Sequence, residues 1–291
     1  MLLTWQQALV VGIVAILACV VLRQRLRRVS AVLLEVSIIA GLFTAWQLAQ
    51  KISSGGASGA FARAHWIERF QSAIGLPSEQ WVQTLVLGHP DLVRVENAYY
   101  AFAHFNGMGV FLVWLFFRHR DRYAGVRTTM AISTGICLLV AFIPVAPPRM
   151  LPGYIDTAEL YGQSVYAAGF TVDELSAMPS VHVLWAVIIG WYVMRVSTSR
   201  FRFLALLYPL ATTFVVVSTA NHWWLDGIVS VLILVASAWA QIGVRHAISA
   251  WLARRHAGAR TAPVGAAPAP VQTVTHASAD SAGDGTVGRP W

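Results

Sequence analysis

The stretch WQQALVVGIVAILACVVL, at Trp5–Leu22, is followed directly by the basic stretch RQRLRR, at residues 23–28. As a helix, an apolar run of this length crosses most of the ~30 Å hydrocarbon core of a bilayer. A signal peptide carries its positive charges before the apolar run, whereas here they follow it. We therefore expect a retained membrane helix whose N-terminus lies outside the cytoplasm.

The same apolar character extends along most of the chain. Hydrophobic residues make up 57% of it and charged residues only 12%, with a mean hydropathy of +0.59. A soluble domain is about 45–50% apolar and about 25% charged. The runs are too long and too continuous for barrel strands, which indicates an all-α integral membrane protein. We predict seven spans, at residues 5–22, 31–50, 97–117, 127–146, 181–196, 203–219 and 223–244.

Basic residues divide the segments between these runs into two groups. The chain has 20 Arg and a single Lys, and its net charge is +8. Most Arg lie in segments 23–30, 118–127 and 195–202 or after residue 244, and seven spans put all four on one side. By the positive-inside rule that side, with the C-terminus, is cytoplasmic, and anionic lipid is a better partner than nucleic acid. The preference for Arg over Lys suggests a GC-rich genome and hence a bacterial cell membrane.

We expect four regions along the chain. Residues 1–50 form two transmembrane helices, and residues 51–96 form an extracytoplasmic segment with amphipathic helices. Residues 97–250 form the membrane core that carries the candidate site described below. Residues 251–291 are rich in Ala, Gly, Pro, Ser and Thr without apolar periodicity, which predicts a disordered cytoplasmic tail.

Three polar motifs border apolar runs on the predicted outer side: PVAPPR at 144–149, MPSVH at 178–182 and NHWWLD at 221–226. In the third motif, His222 and Asp226 are four residues apart, so they share a face if the segment is helical. A carboxylate that accepts the imidazole Nδ1–H leaves Nε2 available as a nucleophile or base.

The other two motifs each allow a structural and a functional interpretation. Ser180 suits a helix N-cap, and a helix N-terminus also attracts phosphate. His182, in the first turn, is either structural or catalytic. Arg149 is either a snorkelling anchor or a forked phosphate ligand. The predicted topology puts these residues on the same side of the membrane as His222. None of them was used to assign that side, so their grouping favours a phosphotransfer site.

At these positions the chain resembles the type-2 phosphatidic acid phosphatase superfamily. Arg149, the PSVH motif at 179–182, and His222 with Asp226 are similar to its three-part signature. PPR at 147–149, MPS at 178–180 and TANH at 219–222 look most like the branch of inositol phosphorylceramide synthase, the aureobasidin target. The resemblance covers about residues 97–240 and implies a six-helix-type phosphatase/phosphotransferase core.

The resemblance implies a role for each matching residue. His222 would be the nucleophile that forms a phosphohistidine, with Asp226 orienting it and His182 as the general acid. Arg149 and Ser180 would bind the phosphate of a lipid phosphate or phospholipid, without metal or cofactor. Polar and aromatic residues on the same side form a possible substrate pocket: Asn97, Tyr99, Tyr100, His104 and Asn221.

The chain departs from the family pattern where two cationic ligands are expected. Phe142 stands in place of a Lys, and Val215-Val216 stand in place of a Ser-Arg pair. These changes favour head-group transfer from a phosphodiester over phosphatidate hydrolysis, and a lipid phosphate phosphatase remains the alternative. A non-enzymatic transporter or scaffold is the alternative of another class. Glu35 and His104 are the main ionisable residues within the spans, and so few are unusual for a transporter.

Overall fold

The structure, a computed structural model, describes residues 3–53, 58–164 and 174–261. These residues are mainly helical, with no strand among them and one isolated bridge between Val145 and Ser176. The helices are α1 (Trp5–Leu22), α2 (Arg27–Ser53), α3 (Ala60–Ala73), α4 (Glu79–Leu87), α5 (Pro90–Arg118), α6 (Arg120–Val140), α7 (Thr157–Leu160), α8 (Val181–Val196), α9 (Leu207–Ser218) and α10 (Trp224–Thr261). Short 3-10 helices lie at Pro148–Met150 and Arg202–Leu206. The chain divides into two units, Met1–Val244 and Arg245–Trp291, and the core and the site described below belong to the first.

Five helices in the described ranges are long and apolar enough to cross a membrane. They are α1, α5, α6, the Arg27–Ala49 part of α2 and the Trp224–Arg255 part of α10. The segments Val181–Val196 and Arg202–Ser218 are apolar but shorter. The chain is therefore an all-α, multi-pass membrane protein, whereas the count of seven spans stays a prediction.

Several helix boundaries differ from the sequence prediction, including the start of α5, which lies at Pro90 instead of residue 97. The fourth span was predicted at residues 127–146, but α6 runs from Arg120 to Val140, so that only His119 separates it from α5. Arg is a good helix former, which explains why helix continues through the basic segment 118–127. The tail was predicted to start at residue 251, but α10 continues to Thr261. The disorder predicted for residues 262–291 lies outside the described residues.

The main hydrophobic core joins α5, α6 and α8. Its fully buried members include Leu115 on α5, Val126 on α6, and Leu184 and Ile188 on α8. The chain just before α9 approaches α8 closely at Gly190. A Cβ there would lie 2.8 Å from the Ala205 carbonyl oxygen, so only glycine permits this approach.

Helices α1 and α2 pack against each other through small residues. Gly12 is buried on α1, and a Cβ at this position would lie 3.5 Å from the Ala40 Cβ on α2. Small residues of this kind let the backbones of membrane helices approach closely. The pair is joined to the rest of the unit by an ion pair between Glu35 on α2 and Arg127 on α6.

Hydrogen bonds to backbone carbonyl groups bring the three polar motifs together at one end of the helices. The Val145 N–H donates to the Leu175 carbonyl (2.6 Å), and the Ala177 N–H donates to the Val145 carbonyl (3.2 Å). The indole N–H of Trp223 donates to the Ala146 carbonyl (3.0 Å). The segments that carry Arg149, Ser180 and His222 are thus tied to one another.

Candidate active site

The hydrogen bonds of the His222 ring define its tautomer. Nδ1 lies 2.7 Å from the Ala177 carbonyl oxygen and 3.2 Å from Oδ2 of Asp226. A carbonyl oxygen only accepts hydrogen bonds, so Nδ1 must carry the proton. Nε2 is buried, has no hydrogen-bond partner within the described residues, and keeps its lone pair in the neutral ring. An imidazole in this state is a nucleophile or a base.

The local geometry of His222 and Asp226 differs from the expected shared helical face. Helix α10 begins at Trp224, so His222 lies in the preceding turn and only Asp226 is helical. Oδ2 of Asp226 accepts the backbone N–H of Trp223 at 2.8 Å, as a carboxylate in a first helical turn can. The same oxygen lies within reach of His222, so the pair depends on the start of the helix and not on helical periodicity.

The turn that presents His222 is anchored to the end of α9. The backbone N–H groups of Asn221 and His222 both donate to the Val216 carbonyl, each at 3.0 Å. Ala220 has a φ of 54°, in the left-handed region, which costs a non-glycine residue roughly 1–2 kcal/mol. Val216, which stands where the family pattern has an Arg, is buried in an apolar cluster and forms part of the hydrophobic core.

His182 lies across from His222 in a row of stacked rings. Its ring centroid is 5.5 Å from that of His222, 4.3 Å from Tyr100 and 4.2 Å from His104. His104 in turn stacks on Trp185 at 4.3 Å with nearly parallel planes. The two histidine rings are close enough for one phosphoryl group to reach both, and aromatic contacts hold the orientation of His182.

Ser180 is the N-cap of α8. Its Oγ accepts the Val183 N–H at 3.4 Å, and its own N–H donates to the Asp226 carbonyl at 3.3 Å. The Ser230 hydroxyl donates to the Ser180 carbonyl at 2.8 Å. The start of α8, with His182, is therefore fixed against the start of α10, with Asp226.

Arg149 is buried and bound on several sides. Its Nε donates to Asp156 (2.9 Å), one Nη to Oδ1 of Asn221 (3.0 Å), and the other Nη lies 3.5 Å from Glu174. Its backbone N–H donates to the Ala220 carbonyl at 2.9 Å. Sequence reasoning missed both carboxylates. Asp156 is the N-cap of α7, and the pattern D-x-x-E at 156–159 is typical of such a cap but gives no sign of an arginine partner.

Two of the five expected pocket residues, Asn97 and Tyr99, do not line the main cavity, although Asn97 borders a smaller pocket with Tyr100, Arg149 and Asn221. The Asn97 amide donates to the Thr157 carbonyl (3.0 Å), and its oxygen accepts the Thr157 hydroxyl, so Asn97 anchors the loop that follows Arg149. The Tyr99 hydroxyl is 2.7 Å from Oγ1 of Thr212 on α9. Nearby positions on α5 point in different directions around the helix, and the sequence alone did not show which of them face the cavity.

The remaining three, Tyr100, His104 and Asn221, line one cavity with His182 and His222. The cavity has a volume of about 310 Å³ and also reaches Arg149. Beyond this polar end, its walls are mainly apolar side chains of α2, α5, α6 and α8. His222, whose Nε2 has no partner within the described residues, therefore borders this cavity. With one polar end and one apolar end, the cavity suits an amphiphilic molecule.

Two residues far away in sequence cap the helix that carries Asp226. Oε1 of Glu79 accepts the Trp224 N–H (3.1 Å) and the side-chain N–H of Gln71 (2.7 Å). Oε1 of Gln71 accepts the Leu225 N–H at 2.7 Å. Free N–H groups at a helix start require such acceptors, so α3 and α4 fix the first turn of α10. Nothing in the local sequence indicated this role.

We expect the cap to make stability depend on pH. Burial raises the pKa of the Glu79 carboxyl above its ordinary value of 4.5, and nearby Asp226 adds to this effect. Because the folded pKa lies above the unfolded one, the contribution of Glu79 to stability is full below about pH 4.5 and declines as the pH rises through the folded value. Glu79→Gln keeps an acceptor without the charge, so thermal unfolding in detergent should show the variant gaining on the wild type as the pH rises.

The cap prediction has a matched control. Glu68 lies on α3, the helix that also carries Gln71, with its side chain 41% exposed, and Glu68→Gln should change the unfolding temperature little. Glu79→Ala should be destabilising at every pH, since it leaves the Gln71 amide and the Trp224 N–H without an acceptor. Equal pH profiles for Glu79→Gln and the wild type would contradict the argument.

The fold and the site together define a class: multi-pass helical membrane proteins with two facing histidines, an aspartate and a buried arginine at one end of the helices. Comparison with known families gives the family itself. The model of the PAP2 superfamily matches residues 65–240, which is more than half of the chain, and the chain belongs to that superfamily. Members are generally phosphatases or phosphotransferases. A search of curated proteins and a search of solved structures each found no match.

Proposed function

We propose that the protein is a lipid phosphotransferase that works through a phosphohistidine on His222. Membership of the superfamily suggests lipid phosphatase or phosphotransferase activity in general terms. The observation that carries the finer proposal is the state of His222: Nδ1 is protonated and held by two oxygens, and Nε2 has no partner within the described chain. A ring held in this way already has the tautomer and the orientation that attack on phosphorus requires.

In the first half-reaction, Nε2 of His222 attacks the phosphorus of a lipid phosphoester. The P–N bond forms as the ester P–O bond breaks, and protonated His182 donates its proton to the leaving oxygen. The Nδ1–H of His222 stays bonded to Ala177 and Asp226, which stabilise the positive charge that develops on the ring. Arg149 binds the phosphate oxygens.

In the second half-reaction, neutral His182 accepts the proton of an acceptor hydroxyl. The acceptor oxygen attacks phosphorus, the P–N bond breaks, and His222 returns to its starting state. His182 thus alternates between acid and base, as microscopic reversibility requires. Water as the acceptor would give a phosphatase, so the identity of the acceptor alone separates the two activities.

The charge around the phosphate position supports a phosphodiester substrate. Arg149 already faces Asp156 and Glu174, and Asp226 is buried nearby. A terminal phosphate carries up to two negative charges, whereas a phosphodiester carries one and needs less cationic compensation. This supports head-group transfer of the inositol phosphorylceramide synthase type, which the motifs at 147–149 and 178–180 resemble.

Two other functions are weaker candidates. A lipid phosphate phosphatase would use the same residues, but its substrate carries more negative charge. The two carboxylates near Arg149 would repel that charge more strongly. A transporter or scaffold has no need for a nucleophilic His222 or for a second histidine ring 5.5 Å away.

The decisive experiment supplies the purified protein with a phospholipid labelled in its head-group phosphate, together with candidate alcohols that include inositol and a ceramide. We expect the label in a new lipid that depends on the acceptor. Label that appears only as water-soluble phosphate, whatever acceptor is present, would leave the phosphatase. No change in the donor under any condition would contradict both enzymatic activities.

We also propose that the two shorter apolar segments cross the membrane, which gives seven spans with the N-terminus outside. Helix α8 is ~24 Å long at 1.5 Å per residue, close to the thickness of the apolar core. The Arg-rich junctions then face the cytoplasm of a bacterial cell, and the site faces outward. After Cys19 and Cys137 are replaced by serine, a membrane-impermeant thiol reagent should label Leu160→Cys but not Arg122→Cys in intact cells. The reverse pattern would contradict this topology.

A further inference from the structure

The cavity extends well beyond the candidate active site. Along α6 it is lined from Leu138 to Arg127, and along α5 from Tyr100 to Leu112. At 1.5 Å per residue these stretches are ~16–18 Å long, about the ~15 Å depth of one membrane leaflet. Most of the polar groups that line it gather at the end with His182 and His222, whereas Thr134, which accepts the Trp185 indole N–H, and Arg127 lie further along α6.

One wall of this cavity comes from a helix outside the family match. The superfamily model begins at residue 65, whereas α2 contributes five side chains to the lining: Ile39, Leu42, Phe43, Ala45 and Trp46. Helix α2 is held by the Glu35–Arg127 ion pair at the inner end of the cavity. At the outer end, the Trp46 ring meets Phe105 edge-on at 6.2 Å, and Phe105 meets Trp185.

The small residues of α6 leave the cavity open. Gly135 and Ala131 are one helical turn apart on the cavity lining. A Cβ at Gly135 would meet nothing within 4 Å. A larger side chain here would therefore enter empty space, and replacing a helical glycine also favours the helix by up to ~1 kcal/mol.

We propose that the cavity binds one hydrocarbon chain of the lipid whose phosphate reacts at His222, and that α2 with the small residues of α6 sets the chain length accepted. The inference rests on the proposed function. The polar end matches a phosphate head group, and the apolar remainder matches a chain of one leaflet in length. A single amphiphile satisfies both ends, whereas a water-soluble substrate would leave the apolar part without a partner.

The first test fills the cavity at two depths. Phospholipid donors with chains of increasing length are assayed in mixed micelles with Gly135→Leu and Ala131→Leu. Gly135→Leu should lower kcat/KM for long chains by roughly 10–100-fold while the shortest chains retain activity, a range typical of size exclusion in apolar pockets. Ala131→Leu lies ~6 Å further from His222, so its cut-off should fall at longer chains.

Gly109→Leu is the matched control. Gly109 is also helical, a Cβ there would meet nothing within 4 Å, and it is exposed on α5 away from the cavity lining. This variant should show the wild-type dependence on chain length. Equal losses at all chain lengths in the two α6 variants, or a chain-length profile identical to that of Gly109→Leu, would overturn the proposal.

The second test does not require turnover. Phosphatidic acid with a photoreactive diazirine near the end of its acyl chain is irradiated with the His222→Ala variant, and the labelled peptides are sequenced. We expect labels on α2 between Ile39 and Trp46 and on α6 near Ala131, reduced by Gly135→Leu. Labels confined to lipid-exposed positions such as Val110 and Trp239 would overturn the chain site. Labelled α2 with no activity on any lipid phosphoester would instead count against the proposed function alone.

Discussion

His222→Ala is expected to abolish turnover, with kcat falling by roughly 10⁴–10⁶-fold, as for the loss of a nucleophile that acts as part of a catalytic unit. The reason is that Nε2 is the atom proposed to bond to phosphorus, and the hydrogen bonds of Nδ1 to Ala177 and Asp226 keep its lone pair available and oriented. The measurement is transfer of label from a phospholipid donor. It is accompanied by detection of an acid-labile, base-stable label on the protein, as expected for a phosphorus–nitrogen bond.

Two comparisons make this prediction specific. His65 is an exposed histidine on α3 that pairs with Glu68, and His65→Ala should retain near-normal activity. His182→Ala should also be inactive with lipid donors, but an activated donor whose leaving group needs no proton should restore covalent labelling of His222. Near-normal turnover in His222→Ala would end the covalent mechanism, whatever the other variants do.

Arg149→Lys is expected to lower kcat/KM by roughly 10²–10³-fold although the charge is kept. The guanidinium contacts Asp156, Asn221 and Glu174 in three directions at once. A lysine ammonium is a single point on a flexible stem and cannot reproduce this planar arrangement or a forked contact with phosphate. Activity is measured against donor concentration, with thermal unfolding in parallel to separate loss of binding from loss of fold.

The matched control is Arg94→Lys. Arg94 makes one exposed ion pair with Asp91, and such pairs contribute only about 0–1 kcal/mol. Its activity and unfolding temperature should be close to those of the wild type. Wild-type kcat/KM in Arg149→Lys would indicate that the phosphate is held by groups other than Arg149.

Much of the architecture was accessible from local sequence. Apolar runs predict membrane helices because hydropathy is a property of each residue, and the structure has membrane-length helices at five of the predicted spans. Helix ends were less accurate, since Arg between two runs is compatible with either helix or loop.

The candidate site, too, was predicted from the sequence only in part. Sequence spacing drew attention to His222 and Asp226, but for a different reason from the one observed, because His222 precedes the helix. The closest oxygen to its Nδ1 is the Ala177 carbonyl, 45 residues earlier, and a backbone carbonyl has no identity in the sequence. Asn97 and Tyr99, close to Tyr100 in sequence, face other neighbours because successive helical positions point in different directions.

By itself, the sequence of this protein determined which segments form long apolar helices and which residue types are available in the polar motifs that border them. Both follow from side-chain polarity read along the chain. Only the tertiary structure decided the tautomer of His222, the carboxylate partners of Arg149, the Gln71–Glu79 cap and the α2 wall of the cavity. These features depend on hydrogen bonds and contacts between segments up to 154 residues apart. Such contacts form only when the helices pack, so local propensity carries no record of them.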